Sequence, residues 1–189
     1  MGEIKFTEET HEYTLNGKRL PSVTEIMKFI TDRKYETVTE KILDVAKEKG
    51  TQVHLACEVY NKTGYIGIDK EYKGYLDAYI KWIKENNIDR EKIESEVITY
   101  NAILSYAGTV DMIYDKKTVI DIKTCQDLDE KTTSVQTSAY IEALKLHGYD
   151  HIKEAYILWL SKDGKYKYVK LENKFNVFLS CLTLYNFCN

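Results

Sequence analysis

A single proline, Pro21, in 189 residues leaves little material for a hinge, and no linker, repeat or low-complexity stretch interrupts the chain. One domain spanning 1–189 is expected. The four cysteines, Cys57, Cys125, Cys181 and Cys188, are too few and too scattered for a disulfide framework, and none forms the CxxC pair of a zinc site. Idle thiols in a reducing compartment follow as the expectation. No apolar run is long enough to cross a bilayer, and Gly2 to Phe6 mixes charge with apolar residues rather than forming a secretory signal. A cytoplasmic protein without a membrane partner is expected. A cationic excess is missing too, because 27 Lys+Arg against 30 Asp+Glu leaves a net charge of -3. Sequence-independent DNA binding is driven by cations that displace counterions from phosphates, so this balance weighs mildly against a nucleic-acid role. It leaves a metal-dependent enzyme open, since bound cations restore positive charge where a phosphate arrives. Lys123, Lys131, Lys145, Lys162, Lys165, Lys167 and Lys170 all fall in the later half of the chain.

What is present is a mixed α/β pattern. Ile4–Phe6 and Glu12–Leu15 read as short strands, with the hairpin signal Asn16-Gly17 behind them. Ser22 followed by Glu25 is a capping box that predicts a helix to about Ile30. Thr37 with Glu40 repeats the device and predicts a helix stopping at Gly50, with a separate helix over Thr51–Asn61. Tyr72 to Asn86 carries apolar residues at spacings of three and four and is the clearest amphipathic helix. Three β-rich runs follow, Ile93–Tyr100, Ala107–Tyr114 and Thr118–Lys123, arranged as an antiparallel meander. A helix over Thr132–Leu146, strands Glu154–Leu160 and Tyr166–Val169, and a closing helix Asn173–Cys188 complete the reading. The predicted class is α/β: a mixed central sheet flanked by helices, preceded by a short N-terminal β-hairpin.

The chemistry is concentrated between Ser105 and Tyr140. Asp111 ends the run Gly108-Thr109-Val110-Asp111, and ten residues later comes Asp121-Ile122-Lys123. The two-residue period of a strand puts Asp121 and Lys123 on one face, with Ile120 and Ile122 on the other. A turn at Asp115–Lys117 folds the strands together, so Asp111 is expected opposite Asp121. Two carboxylates that close repel one another unless a cation lies between them. Hard oxygen ligands of this kind, with a backbone carbonyl, suit Mg²⁺ or Mn²⁺, and a neighbouring lysine suits the charge that grows on a phosphodiester during hydrolysis. The plain alternative is an exposed hairpin with a Lys123 salt bridge.

GTVD, then DIK ten residues on, then Gln136 and Tyr140 four apart on one helix face, resembles the PD-(D/E)xK nuclease superfamily. Within it the similarity is to the RecB-like, phage-type exonuclease branch with its QxxxY motif. Gly50-Thr51-Gln52-Val53-His54 resembles that branch's GxxxH pattern, and the resemblance implies that His54 is a metal ligand. Glu96 corresponds to a glutamate at the start of the first sheet strand; Glu94, two residues earlier, faces the same side by period two and stays an alternative. His11-Glu12-Tyr13, Gly17 and Pro21-Ser22-Val23-Thr24 also resemble the opening of phage members, so the likeness covers about Phe6 to Tyr168.

The resemblance implies a restriction-endonuclease-like core and a divalent-metal-dependent deoxyribonuclease, an exonuclease acting at DNA ends in phage-type recombination or repair. Its catalytic residues are then Asp111, Asp121, Lys123, Glu96, Gln136 and Tyr140. Its metal ligands are His54, Asp111, Asp121 and the Ile122 backbone carbonyl, holding one or two Mg²⁺ or Mn²⁺ ions. Partners implied are duplex or single-stranded DNA, a phage recombinase or single-strand annealing protein, and further copies of the chain. No iron–sulfur cluster is expected, because Cys57 follows His54 and only Cys181 and Cys188 are terminal. The rival readings are a catalytically silent nucleic-acid-binding module of the same fold, a structure-specific endonuclease, and a metal-dependent hydrolase acting on something other than DNA.

Overall fold

The computed structural model describes residues 2–35 and 40–189, and the side chains of these except 32–35 and 40. Asn16 and Gly17, with φ of 51° and 80°, make a two-residue turn suited to the twist of a hairpin. The turn joins β2 (Glu12–Leu15) to β3 (Lys18–Leu20), while β1 (Ile4–Thr7) pairs on the other side of β2. The expected hairpin is therefore one edge of a three-stranded antiparallel sheet, the third strand being too short to show a periodic signal in the sequence.

Ser22 caps α1 (Val23–Ile26) as expected, its side chain accepting from the Glu25 N–H, but α1 ends there and α2 (Lys28–Tyr35) follows as a separate helix. The capping role of Thr37 falls outside the described residues. Instead of two helices meeting at Gly50, α3 runs unbroken over Glu40–Thr63. A mid-helix glycine costs about 1 kcal/mol relative to alanine but ends a helix only when it turns left-handed, and Gly50 does not. The Thr51 hydroxyl bonds back to the Lys47 carbonyl at 3.1 Å, across the glycine, instead of capping a new helix.

After α4 (Lys73–Glu85) comes the central sheet, in the order β4 (Ile93–Asn101), β5 (Tyr106–Tyr114), β6 (Thr118–Lys123), β7 (Glu154–Leu160), β8 (Tyr166–Lys170). All neighbours are antiparallel except β6 and β7, which α5 (Glu130–Leu144) connects; two parallel neighbours require such a crossover. One face packs on α1, α5 and the terminal α6 (Phe175–Cys188) through Val110, Ile113, Val119, Leu144 and Phe178. The other packs on α3 and α4 through Met112, Ile120, Leu158, Val53 and Trp82. Covered on both sides, β6 is buried from Val119 to Ile122, and Asp121 is the one charged residue within that run. Among the described residues no helix is long and apolar enough to cross a membrane.

Candidate metal and nuclease site

The site forms where strands part. The β5–β6 ladder runs from Tyr114 and Thr118 to Met112 and Ile120 and stops; the next facing pair in that register would be Asp111 and Asp121. Beyond it the Ile122 N–H donates to Asp111 Oδ2 at 2.7 Å, so the carboxylate occupies the fork in place of a backbone acceptor. The β4–β5 ladder is likewise broken where Glu96 faces Asp111, between Ser95–Met112 and Val97–Val110.

Glu96 has a φ of 51°, a left-handed conformation in mid-strand that costs a non-glycine residue roughly 1–2 kcal/mol. The break switches the faces of both strands: Val110 and Ile113, three apart, share the α5 side while Met112 packs on the α3 and α4 side. The expectation that Glu94 and Glu96 share a face fails for this reason. Glu94 accepts from the Tyr149 hydroxyl at 2.6 Å, and Glu96 turns to His54.

His54 on α3 stands at the centre. Its Nδ1 lies 3.6 Å from Glu96 Oε1 and 3.8 Å from Asp111 Oδ1, and its Nε2 lies 3.1 Å from the Ile122 carbonyl. Burial disfavours charge on the ring, but the Asp111 carboxylate and then Glu96 outweigh it and push the imidazole up to about 9. One ligand atom from each of His54, Glu96 and Asp111 lies within 4.8 Å of the others. Adjacent ligands of an octahedral ion at about 2.1 Å stand roughly 3 Å apart and opposite ones roughly 4 Å, so the group fits a hard divalent cation after a small closure. The donor set, one imidazole with two carboxylates, is of a kind that divalent cations take.

Asp121 lies outside that trio, 3% exposed at its side chain, with Lys123 Nζ 2.8 Å from Oδ2. The contact is one of charge, because Oδ2 has no partner in hydrogen-bonding geometry and is left orphaned in the interior. Burial raises this carboxyl above its usual range; Lys123 opposes the shift and Asp111 adds to it. Burial likewise works against charge on Lys123, yet the Asp121 and Asp111 charges hold it protonated. A buried carboxylate beside a second one is costly by several kcal/mol unless a cation answers it, and the Lys123 ammonium is the cation in place here.

On α5, Gln136 Nε2 donates to the Tyr140 hydroxyl at 3.0 Å. Burial raises Tyr140 far above its usual range, so the phenol keeps its proton within reach of the Asp111 and Asp121 charges. Gly108 admits that ring: a Cβ there would stand 2.5 Å from Tyr140 Cε1. Two residues that the sequence reading left unassigned also border the site. Tyr13, 1% exposed, shares a 2.8 Å hydrogen bond with Thr109 Oγ1, two residues before Asp111. Lys49 donates to the Thr124 carbonyl at 2.8 Å, just past Lys123. Lys49 lies five residues before His54 in the sequence, a spacing that carries no signal until α3 is seen to be continuous through Gly50.

A mixed sheet with helices on both sides, carrying acidic residues and a lysine on two adjacent strands, is the core of a metal-dependent nuclease of the restriction-endonuclease-like kind. Residues 46–149, more than half of the chain, match the PD-(D/E)XK nuclease superfamily, and the chain belongs to it. No curated protein matches. Among solved structures, that described as "Crystal structure of SSO0001" aligns with 15% identity and a TM-score of 0.39, covering 73% of this chain and 71% of the other.

Proposed function

We propose that this chain is a DNA exonuclease of the RecB-like, QxxxY-bearing branch, a single nuclease domain that hydrolyses phosphodiester bonds at DNA ends with Mg²⁺ or Mn²⁺. The supporting observation is the convergence of His54, Glu96, Asp111 and the Ile122 carbonyl at the strand fork, with Asp121 and Lys123 alongside. In this reading His54, Asp111, Asp121, Glu96 and the Ile122 carbonyl hold the metal. When bound, the ion supplies a water of lowered pKa and polarises a phosphoryl oxygen.

Lys123, kept protonated by Asp121 and Asp111, offers Nζ to the attacking water or to a non-bridging oxygen of the scissile phosphate and offsets charge in the transition state. Gln136 donates to the Tyr140 hydroxyl, and this pair on α5 steadies Lys123 or the DNA backbone. The same reading extends to a recombinase or annealing partner, to assembly with further copies, and to work in the cytoplasm.

The test is degradation of end-labelled linear duplex and single-stranded DNA beside a closed circle, in Mg²⁺, Mn²⁺ or chelator, by wild type and Asp121→Ala. Metal-dependent loss of linear DNA alone, abolished in the variant, supports the proposal and gives polarity and strand preference. Nicking of the closed circle would make the enzyme an endonuclease. A folded wild type inert in both metals would leave a binding module that has kept the fold.

A further inference from the structure

The cleft gathers Glu96, Asp111 and Asp121 in a chain of net charge -3, so a polyanionic strand needs cations outside that group to approach it. The β7–β8 hairpin shows which lysines are free to serve. Lys165 is paired with Asp163 and Lys170 with Glu154, whereas Lys167 between them rests 5.2 Å over the Trp159 ring. Lys49 gives its ammonium to the Thr124 carbonyl and stands 5.6 Å from the Tyr75 ring. Among the described residues neither Lys49 nor Lys167 meets a carboxylate, so both keep an unneutralised charge.

Their placement is fixed by the sheet. Lys123 on β6 is in register with Trp159 on β7, and Trp159 with Lys167 on β8, which sets the three side by side across neighbouring strands about 4.8 Å apart. Trp159 is moored by its indole N–H to the Cys125 carbonyl at 2.7 Å, next to the Thr124 carbonyl that holds Lys49. The Lys49 ammonium and the Trp159 indole thus hold successive carbonyls, Thr124 and Cys125, of the segment that leaves β6 just after Lys123.

We propose that Lys49 and Lys167 form a phosphate-binding track that leads a nucleic-acid strand over Lys123 into the cleft, with Trp159 holding Lys167 in place. The proposal rests on the nuclease reading above and adds the route of the substrate. A strand on this track exchanges counterions for two ammonium groups, and each contributes its share to the salt dependence of binding: a slope of about 0.9 per phosphate contact on duplex DNA and about 0.7 on a single strand.

The experiment measures binding of a fluorescein-labelled oligonucleotide, single-stranded and duplex, by anisotropy across a salt series in Ca²⁺. It compares wild type, Lys49→Ala, Lys167→Ala, and Lys117→Ala at the far end of the sheet. Steady-state cleavage of linear DNA and of bis(p-nitrophenyl) phosphate in Mn²⁺ completes it. Each track variant is expected to flatten the salt slope by about 0.7–0.9 and to raise KM for DNA by roughly fivefold to tenfold. In Lys167→Ala, turnover of the small diester, too short to span the track, stays at the wild-type value, and Lys117→Ala matches wild type throughout.

Because Lys49 also holds the Thr124 carbonyl, Lys167→Gln on the exposed strand repeats the test without disturbing a hydrogen bond. Wild-type slope and KM in both Lys167 variants would overturn the track while leaving the nuclease reading intact. A wild type that neither binds nor cleaves DNA would overturn both.

Discussion

Glu96 is the residue at which backbone strain and chemistry meet. An L-residue with a φ of 51° inside a strand persists only where its surroundings hold it, and here the conformation turns the carboxylate toward His54 and Asp111. Glu96→Gly removes both the left-handed penalty and one of the crowded charges. Without metal the variant is expected to be more stable than wild type by on the order of 1 kcal/mol, glycine's extra chain entropy offsetting part of the gain. Thermal unfolding in chelator measures this, and a clear loss of stability would show that no strain is stored there. Gly108 is the opposite case, chosen for space: Gly108→Ala drives a methyl into the Tyr140 ring and is expected to cost about 1–3 kcal/mol. Its activity should fall with it, which urea unfolding and the nuclease assay together would register. Removing the Lys123 ammonium by Lys123→Met leaves Asp121 buried and unanswered, and a loss of cleavage of about a hundredfold or more is expected with near-unchanged DNA binding.

At the scale of elements, the terminal helix is fastened to the N-terminal segments by one carboxylate. Glu25 on α1 accepts from Arg19 on β3 at 2.9 Å and from the Tyr185 hydroxyl on α6 at 2.8 Å. Burial works against its charge, but the hydrogen bonds from Tyr185 and Arg19, and then the Arg19 charge, hold the carboxyl below its usual range. A carboxyl depressed in the folded state contributes stability that is present above the unfolded-state value and is lost as pH falls through the folded one. Glu25→Gln should therefore lower stability at neutral pH by about 1 kcal/mol, a Tm shift of roughly 2–4 °C for a chain of this length. The difference from wild type should close in acid, below the usual carboxylate range. A gap independent of pH would mean that packing rather than charge fastens α6.

For the whole molecule, the proposed metal site couples ion binding to folding. His54 comes from α3, Glu96 from β4, Asp111 from β5 and Asp121 from β6, so an unfolded chain offers no assembled site and ligand binding stabilises the native state by mass action. At Mn²⁺ concentrations about a hundred times the dissociation constant the gain is about 2.7 kcal/mol, or roughly 5–11 °C in Tm. Differential scanning calorimetry with Mn²⁺ and with chelator should show that shift in wild type and lose it in a His54→Ala, Asp111→Ala double variant. An equal shift in the double variant would place the metal elsewhere.

Local sequence was enough to locate β5, β6, α4 and α5, because alternation, helical spacing and capping act over a few residues: Asp121 and Lys123 share a face simply because a strand has period two. Asn16-Gly17 determined its turn for a similar reason, since few residue pairs accept two positive φ values. The continuity of α3 through Gly50 was not legible, because packing of Val53 and Cys57 on the sheet decides it against a weak local preference. Nor could the sequence choose between Glu94 and Glu96. That choice depends on a break shared by two strands, and only the β4–β5 ladder, with Tyr149 waiting on one side and His54 on the other, puts the two glutamates on opposite faces. The sequence by itself determined which groups are available for chemistry; the fork between β5 and β6, a long-range pairing that local propensity does not encode, decided which of them meet.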